Sequence, residues 1–109
     1  MRTHQDLDQR SLALHRLIAD KIRGTPSLFD KPQKTLARWR TVLSADAQPY
    51  LQDWQKLVDS GLESCLAVAT QESEYANALR QTSPFCGVLA HKERFAFFKD
   101  WAKTHHEAH

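Results

Sequence analysis

Apolar residues recur along this chain at helical intervals, with one interruption towards the C-terminal end. Leu7, Leu14, Leu17, Ile18 and Ile22 are spaced by three, four and seven, which lays them on one stripe of an α-helix. Asp6 or Asp8 can accept the free N–H groups at its start, and Gly24-Thr25-Pro26 stops it. In the second periodic stretch Leu36, Trp39, Val42 and Leu43 form an inward face, while Lys34, Arg38 and Arg40 face water. Asp30 stands at its cap, Pro32 fits a first turn that needs no N–H partner, and Ser44-Ala45-Asp46 ends it. A short turn at Ser27-Leu28-Phe29 precedes it.

The third stretch is the most regular. Tyr50, Trp54, Leu57, Val58, Gly61, Leu62, Cys65, Leu66 and Ala69 follow a three-four rhythm, predicting one continuous helix. Gly61 inside that stripe costs about 1 kcal/mol against alanine. A close helix crossing would account for it, and a kink is the alternative. Ser73 suggests a cap for a shorter helix with Tyr75, Ala76 and Leu79 inward. In the last helix Phe95, Phe98, Trp101 and Ala102 mark the core side, with Phe97 partly off it. The prediction is an all-α fold, a compact four- to five-helix bundle with helices at about 6–23, 31–44, 48–69, 73–81 and 90–103. It forms one domain over residues 1–109 with a frayed tail from about residue 104.

The interruption is "RQTSPFCGVLAHKERFAFF", residues 80–98. Pro84 disfavours helix at Ser83, and Gly87 permits a backbone turn that other residues resist. Phe85, Val88 and Leu89 are too apolar for a solvated loop. Two readings remain open. The segment is either a packed corner that steers the last helix across the bundle, or an exposed anchor for a partner. In the second reading Arg80, Ser83, Pro84, Phe85, Gly87, Val88, Leu89, Lys92 and Arg94 form the docking site, with Arg80, Lys92 and Arg94 as its charged rim.

Three segments carry a resemblance: "LDQRSLALHRLIADKIR", "LARWR" and "LRQTSPFCGVLAHKERFAFF". Together they resemble a family of small, mostly uncharacterised bacterial proteins, over nearly the whole chain. In that family similar modules occur alone or after a helix-turn-helix domain, often beside nucleotidyltransferase-like or other toxin-type genes. The family's final motif, LRQ-S-PF-GVL followed by ER, is matched by Leu79, Arg80, Gln81, Ser83, Pro84, Phe85, Gly87, Val88, Leu89, Glu93 and Arg94. The resemblance implies a toxin–antitoxin or regulatory role and assigns no catalytic residue. No helix-turn-helix precedes the module, which argues against repression of transcription by this polypeptide alone.

Composition narrows the choice of function. The chain has 109 residues, 41% of them apolar and 26% charged, and only three glycines and four prolines, which disfavours a many-stranded β fold. Net charge is only +2, but residues 1–46 hold nine Lys/Arg against five acids (+4) and residues 47–109 six against eight (−2). Arg16, Arg23, Lys34, Arg38 and Arg40 would make one basic face if the first two helices lie antiparallel, and that face could meet an acidic protein or phosphates. The plainer reading is that amphipathic helices have charged outer faces.

Little in the sequence points to catalysis. Cys65 sits on an apolar face, and Cys86 and His91 lack an orienting acid. His15 reads as a boundary residue with one hydrogen bond. Glu72 and Glu74 read as solvated caps. His105 and His109 share a helix face, but the tail offers a third metal ligand, Glu107, only by unwinding.

The expectation is therefore a non-enzymatic, antitoxin-like interaction protein without metal or cofactor. Its partner would be a cognate protein such as a nucleotidyltransferase-like or other toxin. A small nucleic-acid-binding regulator and a homodimer burying the aromatics of the third or last helix are the alternatives. No apolar run suggests a signal peptide or membrane span, so a cytoplasmic location is expected.

Overall fold

The computed structural model describes residues 4–104, and every regular element among them is helical. In chain order these are α1 (His4–Gly24), α2 (Asp30–Val42), α3 (Gln48–Ser60), α4 (Leu62–Ala69), α5 (Glu74–Arg80) and α6 (His91–Thr104). Single 3-10 turns at Pro26–Phe29 and Cys86–Val88 join α1 to α2 and α5 to α6. The all-helical class is as expected, and the helix count among the described residues is six rather than four or five. The tail with His105 and His109 lies outside the described residues.

The extra helix comes from Gly61. The expected helix over 48–69 breaks there, because Gly61 adopts φ +118° and ψ 165°, a region essentially closed to residues with a side chain. No atom outside its immediate neighbourhood lies within 4 Å of where a Cβ would stand, so a close helix crossing is not the reason for the glycine. The reason is backbone geometry. Gly61 ends α3 through its N–H to Val58 O and starts α4 by accepting from the Cys65 N–H.

Local chemistry fixes the other boundaries. The Thr25 N–H closes α1 onto Lys21 O and Ile22 O, and Pro26 then opens the 3-10 turn where a short turn was expected. Asp30 is the first residue of α2 rather than its cap, and its carboxylate pairs with Lys34 one turn on at 2.9 Å. Gln48 ties the start of α3 to the end of α2, its amide donating to Leu43 O at 3.1 Å and Arg40 O at 3.3 Å. Ser73 caps α5 as expected, accepting from the Ala76 N–H at 3.1 Å.

One apolar cluster joins α1 to α5 and the α5–α6 corner: Ile18, Ala19, Ile22, Phe29, Leu36, Leu51, Trp54, Val58, Cys65, Leu66, Ala69, Leu79, Phe85, Val88 and Leu89. α1 packs against α4 and α5, whereas α2 packs against α3 and the Cys86–Val88 turn. Burial pushes the Cys65 thiol up to about 12, so it is a small core hydrophobe, as its position on the stripe suggested.

Several faces are rotated from those expected. On α1 the buried line is Leu12, His15, Ile18, Ala19 and Ile22, while Leu7 and Leu17 are exposed. On α2, Val42 and the adjoining Leu43 are exposed and Pro32 is buried instead. Tyr50 and Tyr75 also face outwards, and the Tyr75 hydroxyl donates to Asp53 at 3.1 Å.

Candidate functional site

The α5–α6 corner is the centre of the core. Phe85 has no exposed surface, standing edge-on to the indole of Trp54 (centroids 5.5 Å apart) and to the ring of His15 (6.1 Å). Ser83, Pro84, Val88 and Leu89 are buried with it, and so is Arg80. The exposed-anchor reading of these residues is therefore overturned, and the packed-corner reading holds. Of the expected docking set only Gly87 and Lys92 are exposed, and Arg94 is half-buried. The physical reason is area: aromatic rings bury roughly 150–250 Å² each and dominate core energetics. Here α1 and α3 leave an opening that Phe85 fills.

Around Phe85 lies a buried polar chain. His15 Nδ1 is 2.7 Å from Ser11 O, which can only accept, so Nδ1 carries the proton. His15 Nε2 is then the acceptor for the Ser83 hydroxyl at 2.7 Å, and Ser83 Oγ in turn accepts from the Phe85 N–H at 3.1 Å. Burial lowers the His15 pKa to about 4, opposed by the Ser11 carbonyl and assisted by the Arg80 charge. His15 thus sits deeper, and with more partners, than a boundary residue.

A hydroxyl bonded to a neutral imidazole is also the first half of a nucleophilic pair. A nucleophile must reach its substrate, however, and Ser83 is buried beneath the corner. The pair holds α1 to the corner. No local pattern signals it, since 68 positions separate the two residues.

Arg80 serves the same end. One guanidinium nitrogen donates to Ala69 O at 3.0 Å and Gln71 O at 2.8 Å, and the other donates to Asn77 Oδ1. It therefore closes the C-terminal end of α4 onto α5. Desolvation lowers its pKa, partly offset by the nearby Asp8 carboxylate. Trp54 Nε1 donates to Leu79 O at 3.0 Å, fixing the start of the motif. Glu93 accepts from the Ala90 N–H at 2.9 Å and pairs with Lys21; the Lys21 contact, then the Ala90 one, holds its carboxyl below the usual range. Most of the family-like motif is therefore accounted for by core packing and capping.

The proposed basic face does not assemble as expected. Arg16, Arg23, Lys34, Arg38 and Arg40 are all exposed. However, α1 packs on α4 and α5 rather than antiparallel on α2. Arg23 is engaged by Glu63 at 3.2 Å and Asp20 at 3.9 Å, and Lys34 by Asp30.

The surface feature that stands out is α6. This helix carries four large aromatic residues, Phe95, Phe97, Phe98 and Trp101, and none is buried. Phe95, expected on the core side, is 71% exposed, and Ala102 beside it is exposed too. Phe97 and Trp101 stack on each other, 6.1 Å between centroids and 24° between planes. Two contacts tie α6 to α1: the Arg10 guanidinium over the Phe98 ring at 4.9 Å, and the Lys21–Glu93 pair. Low-numbered Arg10 meets the higher of the two α6 positions, so the helices run in opposite senses. The exposed Leu7 and Leu17 of α1 add to the surplus apolar surface of the molecule.

Among the described residues no group of three or more His, Cys, Asp or Glu side chains is arranged to hold a metal ion, and no helix is long and apolar enough to cross a membrane. No protein-family model, curated protein or solved structure matches the chain.

Proposed function

We propose that the chain is a non-enzymatic interaction protein that docks on a partner protein through α6, in the cytoplasm, and masks the partner's working surface as an antitoxin does. One observation carries this reading: a fourteen-residue helix bears four large aromatic residues and buries none of them. Scattered exposed apolar residues need no explanation, but a cluster on one helix marks an interaction surface. The family resemblance supplies the partner class, a nucleotidyltransferase-like or other toxin. The buried polar groups support a role in binding rather than catalysis, since Arg80 caps carbonyls and Ser83 and His15 bond to each other beneath the surface.

Co-expression of the chain with the product of each adjacent gene tests the reading. Rescue of growth from a toxic neighbour, together with a complex that co-elutes on size exclusion, is expected. A chain that neither rescues nor forms a complex with any neighbour refutes it.

A further inference from the structure

Resting on the proposed docking role of α6, we infer that the partner element it receives is an acidic amphipathic helix. At 100° per residue, Phe95, Phe98 and Ala102 fall on one line along α6, and Lys92, Lys99 and Lys103 fall on the adjacent line on its outer side. All three lysines are exposed, and none has an ion pair among the described residues. The opposite flank, with Arg94, Phe97 and Trp101, is half-buried. Of the two acids on α6, Glu93 is taken by Lys21, which leaves Asp100 against four cations. An apolar line beside an unbroken cationic line is the complement of a helix with an apolar stripe and a carboxylate stripe.

The same charges argue against the other occupants. Two α6 helices pairing antiparallel would set one lysine line against its twin; pairing parallel would set it against Arg94. A second copy therefore meets like charge either way. A single-stranded nucleic acid needs open rings for its bases. Arg10 already lies over one face of Phe98, and Phe97 and Trp101 stack on each other, so Phe95 is the most open ring on this helix and no row of free rings is offered to successive bases.

The test uses the full chain and two synthetic amphipathic helical peptides with identical leucine stripes, one with glutamates and the other with lysines on the polar face. An oligouridine serves as the third probe. Amide shifts in NMR report the site, and anisotropy of labelled peptide reports affinity at low and high salt. The glutamate peptide is expected to bind, to shift α6 resonances around Phe95, and to weaken with salt. F95D should weaken it about tenfold. The triple variant K92E/K99E/K103E should transfer preference to the lysine peptide. Both variants should keep the wild-type melting temperature within a few degrees, since neither touches a buried group.

Equal binding of both peptides, tighter binding of oligouridine, or concentration-dependent dimerisation abolished by F95D each overturns the inference. So does growth rescue from the cognate toxin that survives both variants, although the interaction reading then stands. A wild-type chain that neither rescues nor forms a complex with any neighbour is the separate result that sinks that reading.

Discussion

The hydrogen-bonded pair of His15 and Ser83 makes the fold sensitive to mild acid, and the size of the effect can be worked out. His15 titrates near 6.5 in the unfolded chain and near 4 in the folded one, because burial excludes the charged imidazolium. Its Nε2 already accepts the Ser83 hydroxyl, so protonation there reverses that bond and leaves the buried Ser83 O–H without its acceptor. Between the two values the unfolded chain holds the extra proton, so this contribution to stability is complete above pH 6.5 and lost as pH falls towards 4. The full loss is roughly 3 kcal/mol, and at pH 5 about 2 kcal/mol of it is gone. Against a total stability of about 5–15 kcal/mol that is a large share, equivalent to roughly 10 °C in melting temperature for a domain of this size.

Urea unfolding at pH 7.5 and pH 5 measures the effect, with His15→Gln as the reference that cannot titrate. The other histidines and the carboxylates contribute alike to both proteins and cancel in the difference. The wild type should lose about 2 kcal/mol more than the variant over this interval. Nitrogen-detected NMR should show the proton on Nδ1 at neutral pH. A His15 that titrates near 6.5 in the folded protein, or pH sensitivity equal in both proteins, refutes a buried neutral imidazole at this position.

Three further outcomes follow from the same packing. Gly61→Ala should destabilise by about 1–3 kcal/mol in urea although nothing crowds the new methyl, because the cost lies wholly in the backbone conformation; a neutral result would mean α3 and α4 can straighten into one helix. Arg80→Met should cost about 2–3 kcal/mol by stranding the carbonyls of Ala69 and Gln71, and Arg80→Lys should not fully restore it, since one ammonium cannot serve both these carbonyls, held by one guanidinium nitrogen, and Asn77 Oδ1, held by the other. Phe85→Ala should cost about 3–5 kcal/mol, whereas Phe95→Ala, ten positions on, should change stability by less than about 0.5 kcal/mol. Denaturant midpoints on the pair distinguish core from surface directly, and similar losses at both would show that α6 is packed after all.

Periodicity located the helical stretches because amphipathic faces are a local property, but it misjudged which side of three helices lies inward. On α1 the buried line includes His15 and Ala19, residues whose type does not advertise burial, and the leucines at 7 and 17 drew the predicted stripe away from it. On α6 the aromatics were placed in the core for the same reason. A hydrophobic stripe says that a helix has a sticky face and leaves open what covers it. The break at Gly61 was hidden because apolar spacing continues in register across it, so only the glycine itself hinted at a change of direction. The polar core contacts are long-range. His15 to Ser83, Trp54 to Leu79 and Arg80 to Ala69 join residues separated by 68, 25 and 11 positions, beyond any local pattern.

Two phenylalanines of the segment that interrupts the helical rhythm show where function can reside in such a small fold. The proline that ends helical geometry at Ser83 turns Phe85 inwards between His15 and Trp54, and the capping contact of Glu93 with Ala90 restarts the helix at once. That restart carries Phe95 and the lysines clear of the core, on a helix tied back by a guanidinium over Phe98 and the Lys21–Glu93 pair. The motif that looked like a docking site is thus the device that turns α6 outwards. Buried side chains such as Phe85 and Arg80 are committed to stability, and altering them destabilises the chain by several kcal/mol at most. Phe95 and the α6 lysines lie outside the core, so on the proposed reading their identity answers to a partner rather than to stability.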